Sequence, residues 1–154
     1  MSLVISPVGF AGGGTIPAKY SCHGDNLSPA LSWSGAPAAT RSFALIMEDP
    51  DASAGTFTHW VIFNIPADVQ SLPEGASPRG QRPAGSVEGK NDTGKVGYTG
   101  PCPPPGKPHR YFFKLYALND VLSLKAGASR SQFLEGIIGL TVAEAQTMAT
   151  YQWK

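Results

Sequence analysis

Asp49, His59, His109 and Tyr111 are the side chains whose types and spacing could do ligand or proton chemistry. An imidazole titrates near pH 6.5, so a histidine can donate to a phosphate, sulfate or carboxylate and take up a proton as it does so. Asp49 can accept from the second ring nitrogen of a histidine and fix its tautomer, while its charge repels an anion. Tyr111 can donate its O–H at a pocket rim. Leading into His109 is GYTGPCPPPGKPHRYFF, residues 97–113, with five prolines between Pro101 and Pro108. Proline fixes φ and removes a donor, so this loop delivers His109 to the following strand at a set angle. It also offers a pocket wall, Pro101 and Pro103 included, without competing N–H groups. Its Pro–Pro and Cys–Pro bonds are candidates for a cis peptide.

Taken singly, His59 and His109 read as hydrogen-bonded histidines at strand ends. Together, beside Asp49 and the proline loop, they point to an anion site. Two histidines and a carboxylate also suit zinc or iron, but no helical His pair supports that reading, and no metal or cofactor is expected. A small hydrolase using the Asp/His set for acid–base work is the alternative. No G-x-S-x-G elbow is present, and Cys102, seven residues before His109, is considered with it as nucleophile and base but reads as an inert thiol. Gly12-Gly13-Gly14 lacks the Lys and following helix of a phosphate-binding loop. Asp51, Asn91 and Asp92 read as turn residues, Arg110 as an ion-pair partner, Trp33 and Trp60 as core or pocket wall, and His23 as an ordinary loop histidine.

The elements that must position these groups are strands. Ser42–Asp49, Thr58–Ile65 and His109–Leu118 are short apolar or aromatic runs, the first two stopped by proline, and Ala30–Trp33 is a shorter candidate. Antiparallel pairing of the first two would bring Asp49 and His59 to one end of a sheet. Alternation along the third puts His109, Tyr111, Phe113 and Leu115 on one face. Residues 67–97 are rich in glycine and proline and read as long surface loops. Ser129–Gln132 and Thr141–Glu144 both look like capping boxes, which predicts two short C-terminal helices. Strands first and helices last predict a mainly β protein, a sandwich or barrel with a helical appendage.

The chain has 154 residues, enough for one domain spanning 1–154 with its own core. At 42% hydrophobic and 15% charged it is a globular rather than a disordered sequence. A net charge of +1 with no Lys/Arg cluster excludes a nucleic-acid partner, and no apolar run reaches the length of a transmembrane segment. No Lys or Arg precedes Lys19, so the start does not read as a signal peptide. Cys22 and Cys102 form no C-x-x-C motif and read as reduced thiols of a cytoplasmic protein, with a disulfide left open.

Several blocks resemble one family. Asp49-Pro50-Asp51-Ala52, His59-Trp60, Gly100-Pro101 with its further prolines, and His109-Arg110-Tyr111 are similar to the signature blocks of the phosphatidylethanolamine-binding proteins, the Raf-kinase-inhibitor-protein-like group. Residues 20–33 and Asn91–Tyr98 are similar to its bacterial and archaeal branch. The resemblance spans about residues 17–151. It implies an antiparallel β-sandwich with Greek-key links and C-terminal helices, and a small anion cavity lined by Asp49, His59, Pro101 to Pro104, His109 and Tyr111. It further implies a phosphorylated or otherwise anionic ligand of phospholipid-headgroup type, a regulatory role of kinase- or protease-inhibitor kind, and a homodimer. A protein-interaction domain with a vestigial pocket is a further alternative. Ser53 stands where many members carry proline, and the C-terminal element that closes the site in eukaryotic members has no match.

Overall fold

Strand β3 (Ser42–Asp49) is buried at every position, and this explains its unbroken apolar run. A strand covered on both faces cannot alternate. It lies between β4 (Phe57–Pro66) and β7 (His109–Leu118) in a five-stranded antiparallel sheet of order β6-β4-β3-β7-β8, where β6 is Val87–Glu88 and β8 is Thr141–Tyr151. A smaller sheet, β1 (Val4–Pro7), β2 (Leu31–Ser34) and β5 (Ser71–Leu72), pairs antiparallel in the order β1-β2-β5. The computed structural model describes residues 2–154.

One core lies between the sheets. Leu31, Trp33 and Leu72 of the small sheet meet Phe43, Leu45, Met47, Trp60, Ile62, Phe113 and Leu115 of the large one. A second core covers the outer face of the large sheet, where Ala44, Ile46, Val61 and Phe63 pack on Phe133 and Ile137 of a helix at Arg130–Ile137. Ser129 opens this helix with the expected capping box, its hydroxyl accepting from Gln132 N–H and the Gln132 side chain accepting from Ser129 N–H.

The second expected helix is not formed. Thr141–Tyr151 is β8, paired with β7 from Leu118↔Thr141 to His109↔Tyr151. The local Thr-x-x-Glu signal loses to this long ladder, and Ala143, Ala145, Ala149 and Tyr151 alternate onto the inner core. The sandwich thus carries one C-terminal helix, followed by a strand. Within residues 67–97 the loops are interrupted by β5, β6 and a helical turn at Ala76–Arg79. The cis peptide among the described residues is Ser77–Pro78, outside the proline loop where it was expected.

Glu48 shows how the sheet ends are pinned. It is buried, pairs with Lys114 at 2.5 Å and also pairs with Arg130 of the helix. Burial pushes its pKa up, but the hydrogen bonds from Lys114 and Arg130 outweigh this and hold it below the usual carboxylate value.

Candidate functional site

The register of β3 on β4 slips beside the site. Met47 faces Trp60 and the next residue, Glu48, faces Thr58, which leaves His59 as the extra residue of a bulge. Bulges re-aim side chains next to sites. The bulged strand is held from the loop side, where Thr99 N–H donates to the His59 carbonyl at 3.0 Å and Asp92 accepts from Thr58 N–H at 2.7 Å. Asn91 and Asp92 are turn residues as expected, and their turn carries Thr93 to the pocket rim.

His59 is 5% exposed. Its Nδ1 lies 2.8 Å from the Thr99 carbonyl oxygen. A carbonyl only accepts, so Nδ1 carries the proton and Nε2 holds the lone pair while the ring is neutral. Burial pushes the His59 pKa below 6.5, against smaller opposing effects from the Thr99 carbonyl and Asp49. His109 has the same polarity, with Nδ1 2.6 Å from Asp49 Oδ2. Asp49 is buried and its second oxygen accepts from Asp51 N–H at 2.7 Å. In both rings, then, Nε2 is the nitrogen left for a ligand.

Arg110 and Asp51 lock the strand end that carries His109. Asp51 accepts from the Arg110 backbone N–H at 2.9 Å and from the guanidinium at 2.9 and 2.8 Å. This fork holds the Asp51 carboxyl at about 2. Tyr111, next on the pocket face, packs edge-on to His59 at 5.2 Å between ring centroids. Burial raises its hydroxyl well above the ordinary value, so it remains a donor at any physiological pH.

The proline loop is fastened along its length. Gly100 N–H donates to Asn26 Oδ1 at 2.7 Å, and a Cβ at Gly100 would meet the Tyr20 carbonyl oxygen at 2.1 Å, so only glycine fits. The Pro101 carbonyl accepts from Cys22 N–H at 3.0 Å. Further on, Gly106 N–H donates to the Trp153 carbonyl at 2.9 Å and Pro105 bridges to Trp153. These contacts hold the far end of the loop against Trp153.

A cavity of about 180 Å³ results. Asp49, His59, Pro103, Pro104, His109 and Tyr111 of the expected set line it, whereas Pro101 is buried and does not. Thr93, Thr99, Gly100, Cys102, Ala52, Ser53 and Phe57 complete it. The family-like blocks contained most of these. The role of the Thr99 carbonyl had no signal, because any residue type supplies one.

The cysteines correct the sequence reading. Cys22 and Cys102 form a disulfide, with Cα atoms 5.4 Å apart. The reduced-thiol reading is overturned, and with it that ground for a cytoplasmic protein. Cys102 is likewise not a free nucleophile for His109. Chain topology, which spacing alone does not reveal, brings the two residues together across 80 positions.

A two-sheet β-sandwich with a histidine-lined cavity at one end is the class that fold and site define. A family model described as phosphatidylethanolamine-binding protein matches residues 6–152, and the chain belongs to this family. It is 52% identical over 139 residues to a UPF0098 protein of Methanothermobacter thermautotrophicus, covering 90% of this chain and 91% of that protein. It is 45% identical to a UPF0098 protein of Aquifex aeolicus, covering 93% and 84%. Among solved structures, a phosphatidylethanolamine-binding-protein homologue of Chlamydia trachomatis superposes with a TM-score of 0.91 at 39% identity, covering 99% of each chain. Escherichia coli YbcL, described as a member of the mammalian family, gives 0.94 at 34% identity, covering 100% of each. No helix among the described residues is long and apolar enough to cross a membrane.

Proposed function

We propose that this protein is a non-catalytic binding protein for a small phosphoryl-type anion, which the cavity takes together with a proton. The observation that carries the reading is the shared orientation of the two rings: both Nδ1 atoms are committed, to Thr99 and to Asp49, and both Nε2 atoms are left over. A neutral Nε2 accepts, so an anion binds either after the ring is protonated or by bringing its own proton, as a phosphoryl monoanion can. Tyr111 adds a neutral donor. The volume suits a headgroup and not a diacyl lipid, since pockets for drug-sized molecules begin at about 300 Å³.

Asp49, His59, Pro103, His109 and Tyr111 form the binding set, with Pro101 supporting the wall. A regulatory role through a protein kinase or protease, and a homodimer, are what family membership suggests, and they extend the same proposal. The test is a ring-proton NMR titration of His59 and His109 with phosphoethanolamine, inorganic phosphate and sulfate. Both rings are expected to shift together and to bind protons more tightly in the complex. Silence of both rings would remove the anion reading and favour a protein-interaction domain with an idle pocket. A stronger response to phosphoethanolamine than to phosphate would mark a headgroup site.

A further inference from the structure

The Cys22–Cys102 disulfide carries an asymmetry that its structural role does not require. Both residues are exposed, but their surroundings differ. Cys102 lines the anion cavity. Cys22 Sγ lies 3.7 Å from Nε2 of His23. The His23 ring is held rigidly, stacked on Trp153 with centroids 3.6 Å apart and planes 9° apart. Its Nδ1 is 2.8 Å from the Tyr151 hydroxyl.

Proton counting fixes the ring's polarity. Ser21 has one hydroxyl proton and two acceptors within reach, the Ala18 carbonyl at 2.7 Å and the Tyr151 hydroxyl at 3.0 Å. The shorter contact, to a group that can only accept, takes it. Tyr151 therefore donates to Ser21 and accepts from His23 Nδ1–H. This relay leaves His23 Nε2 facing the Cys22 sulfur with its lone pair, or as an N–H donor once the ring is protonated. No titratable side chain is hydrogen-bonded to Cys102 among the described residues.

We propose that Cys22–Cys102 is a thiol–disulfide exchange site for low-molecular-weight thiols, with Cys102 the sulfur attacked and Cys22 the sulfur released. An incoming thiolate forms a bond to Cys102 Sγ. The Cys22–Cys102 bond breaks and its electron pair goes to Cys22 Sγ, where the thiolate pairs with protonated His23. A thiol whose conjugate base is stabilised leaves faster, so His23 directs attack to the opposite sulfur. A second thiol then attacks the mixed disulfide, releases the small-molecule disulfide and leaves Cys102 as a thiolate that takes up a proton. The thiol supplies both electrons. The adduct on Cys102 occupies the wall of the anion cavity, which couples its occupancy to the thiol pool. The chemistry at Cys22 itself does not depend on what the cavity binds.

The test has two arms. In Cys102→Ser, thiolate absorbance against pH should place the Cys22 thiol at least about one unit below the ordinary 8.5, and adding His23→Gln should return it. In the wild-type protein, a brief exposure to glutathione quenched in acid should leave the adduct on Cys102, as peptide mass spectrometry reads it. An unperturbed Cys22 thiol, indifference to His23→Gln, or adducts chiefly on Cys22 would each overturn the proposal. The wild-type arm stands even where Cys102→Ser fails to fold.

Discussion

His59 is buried yet keeps one ring nitrogen for a ligand, and this combination sets the sign of its pH behaviour. Burial holds its folded pKa below the 6.5 it has when the chain is unfolded. Above pH 6.5 the ring is neutral in both states and nothing is lost. As pH falls below 6.5 the unfolded chain takes the proton first, so ligand-free stability declines until the folded pKa is passed. The expected result is a ligand-free protein that loses stability on acidification below pH 6.5, with that part of the loss absent in His59→Gln. Urea unfolding of both proteins across the range checks it. Sulfate should restore part of the loss, because an anion stabilises the protonated ring. The residues that meet in the cavity were legible: Asp49, His59, His109 and Tyr111 are read from residue types at strand ends. Asp49 as the acceptor that fixes a histidine tautomer was legible too, and His109 is that histidine. The tautomer of His59 was not, since a backbone carbonyl sets it.

The strands that carry the site are legible because their sequences are monotonous. β3 and β7 have the bounds expected, and β4 is longer by one residue at each end. β8 was hidden for a physical reason: a capping box is a local signal, and a ladder to β7 is not visible from within the segment. Its strand identity has a sharp consequence. Ala149 is 1% exposed and faces the core, whereas Glu144 lies on the other face. Ala149→Asp should destabilise by roughly 3 kcal/mol or more, and Glu144→Lys by less than about 0.5 kcal/mol, in denaturant unfolding. The disulfide makes a second element-scale prediction. It closes a loop across 80 positions. Reduction should lower unfolding free energy by about 4 kcal/mol on the chain-entropy account. A change under about 1 kcal/mol would mean that the hydrogen bonds of the proline loop to Asn26, Cys22 and Trp153 hold it without the disulfide.

At the scale of the whole molecule, three chain segments meet where the large sheet ends. The end of β3 and the turn after it bring Asp49 and Ser53, the 91–100 segment brings Thr93 and Thr99, and the proline loop brings Cys102 and Pro103. The disulfide and the bridge from Trp153 to Pro105 fix the last of these against the rest. The cavity is therefore pre-formed, and binding spends little on ordering loops. What the account asks of this rigid site is a proton with each anion. Calorimetric titration with sulfate, which does not itself titrate between about pH 5 and about pH 8, measures that directly when repeated in buffers of different ionisation enthalpy. The account predicts net proton uptake on binding and an affinity that rises toward about tenfold per pH unit on the acidic side of pH 6.5, lost in His59→Gln and in His109→Gln. Equal affinity across the range with no proton uptake, or unaltered binding in both variants, would contradict it.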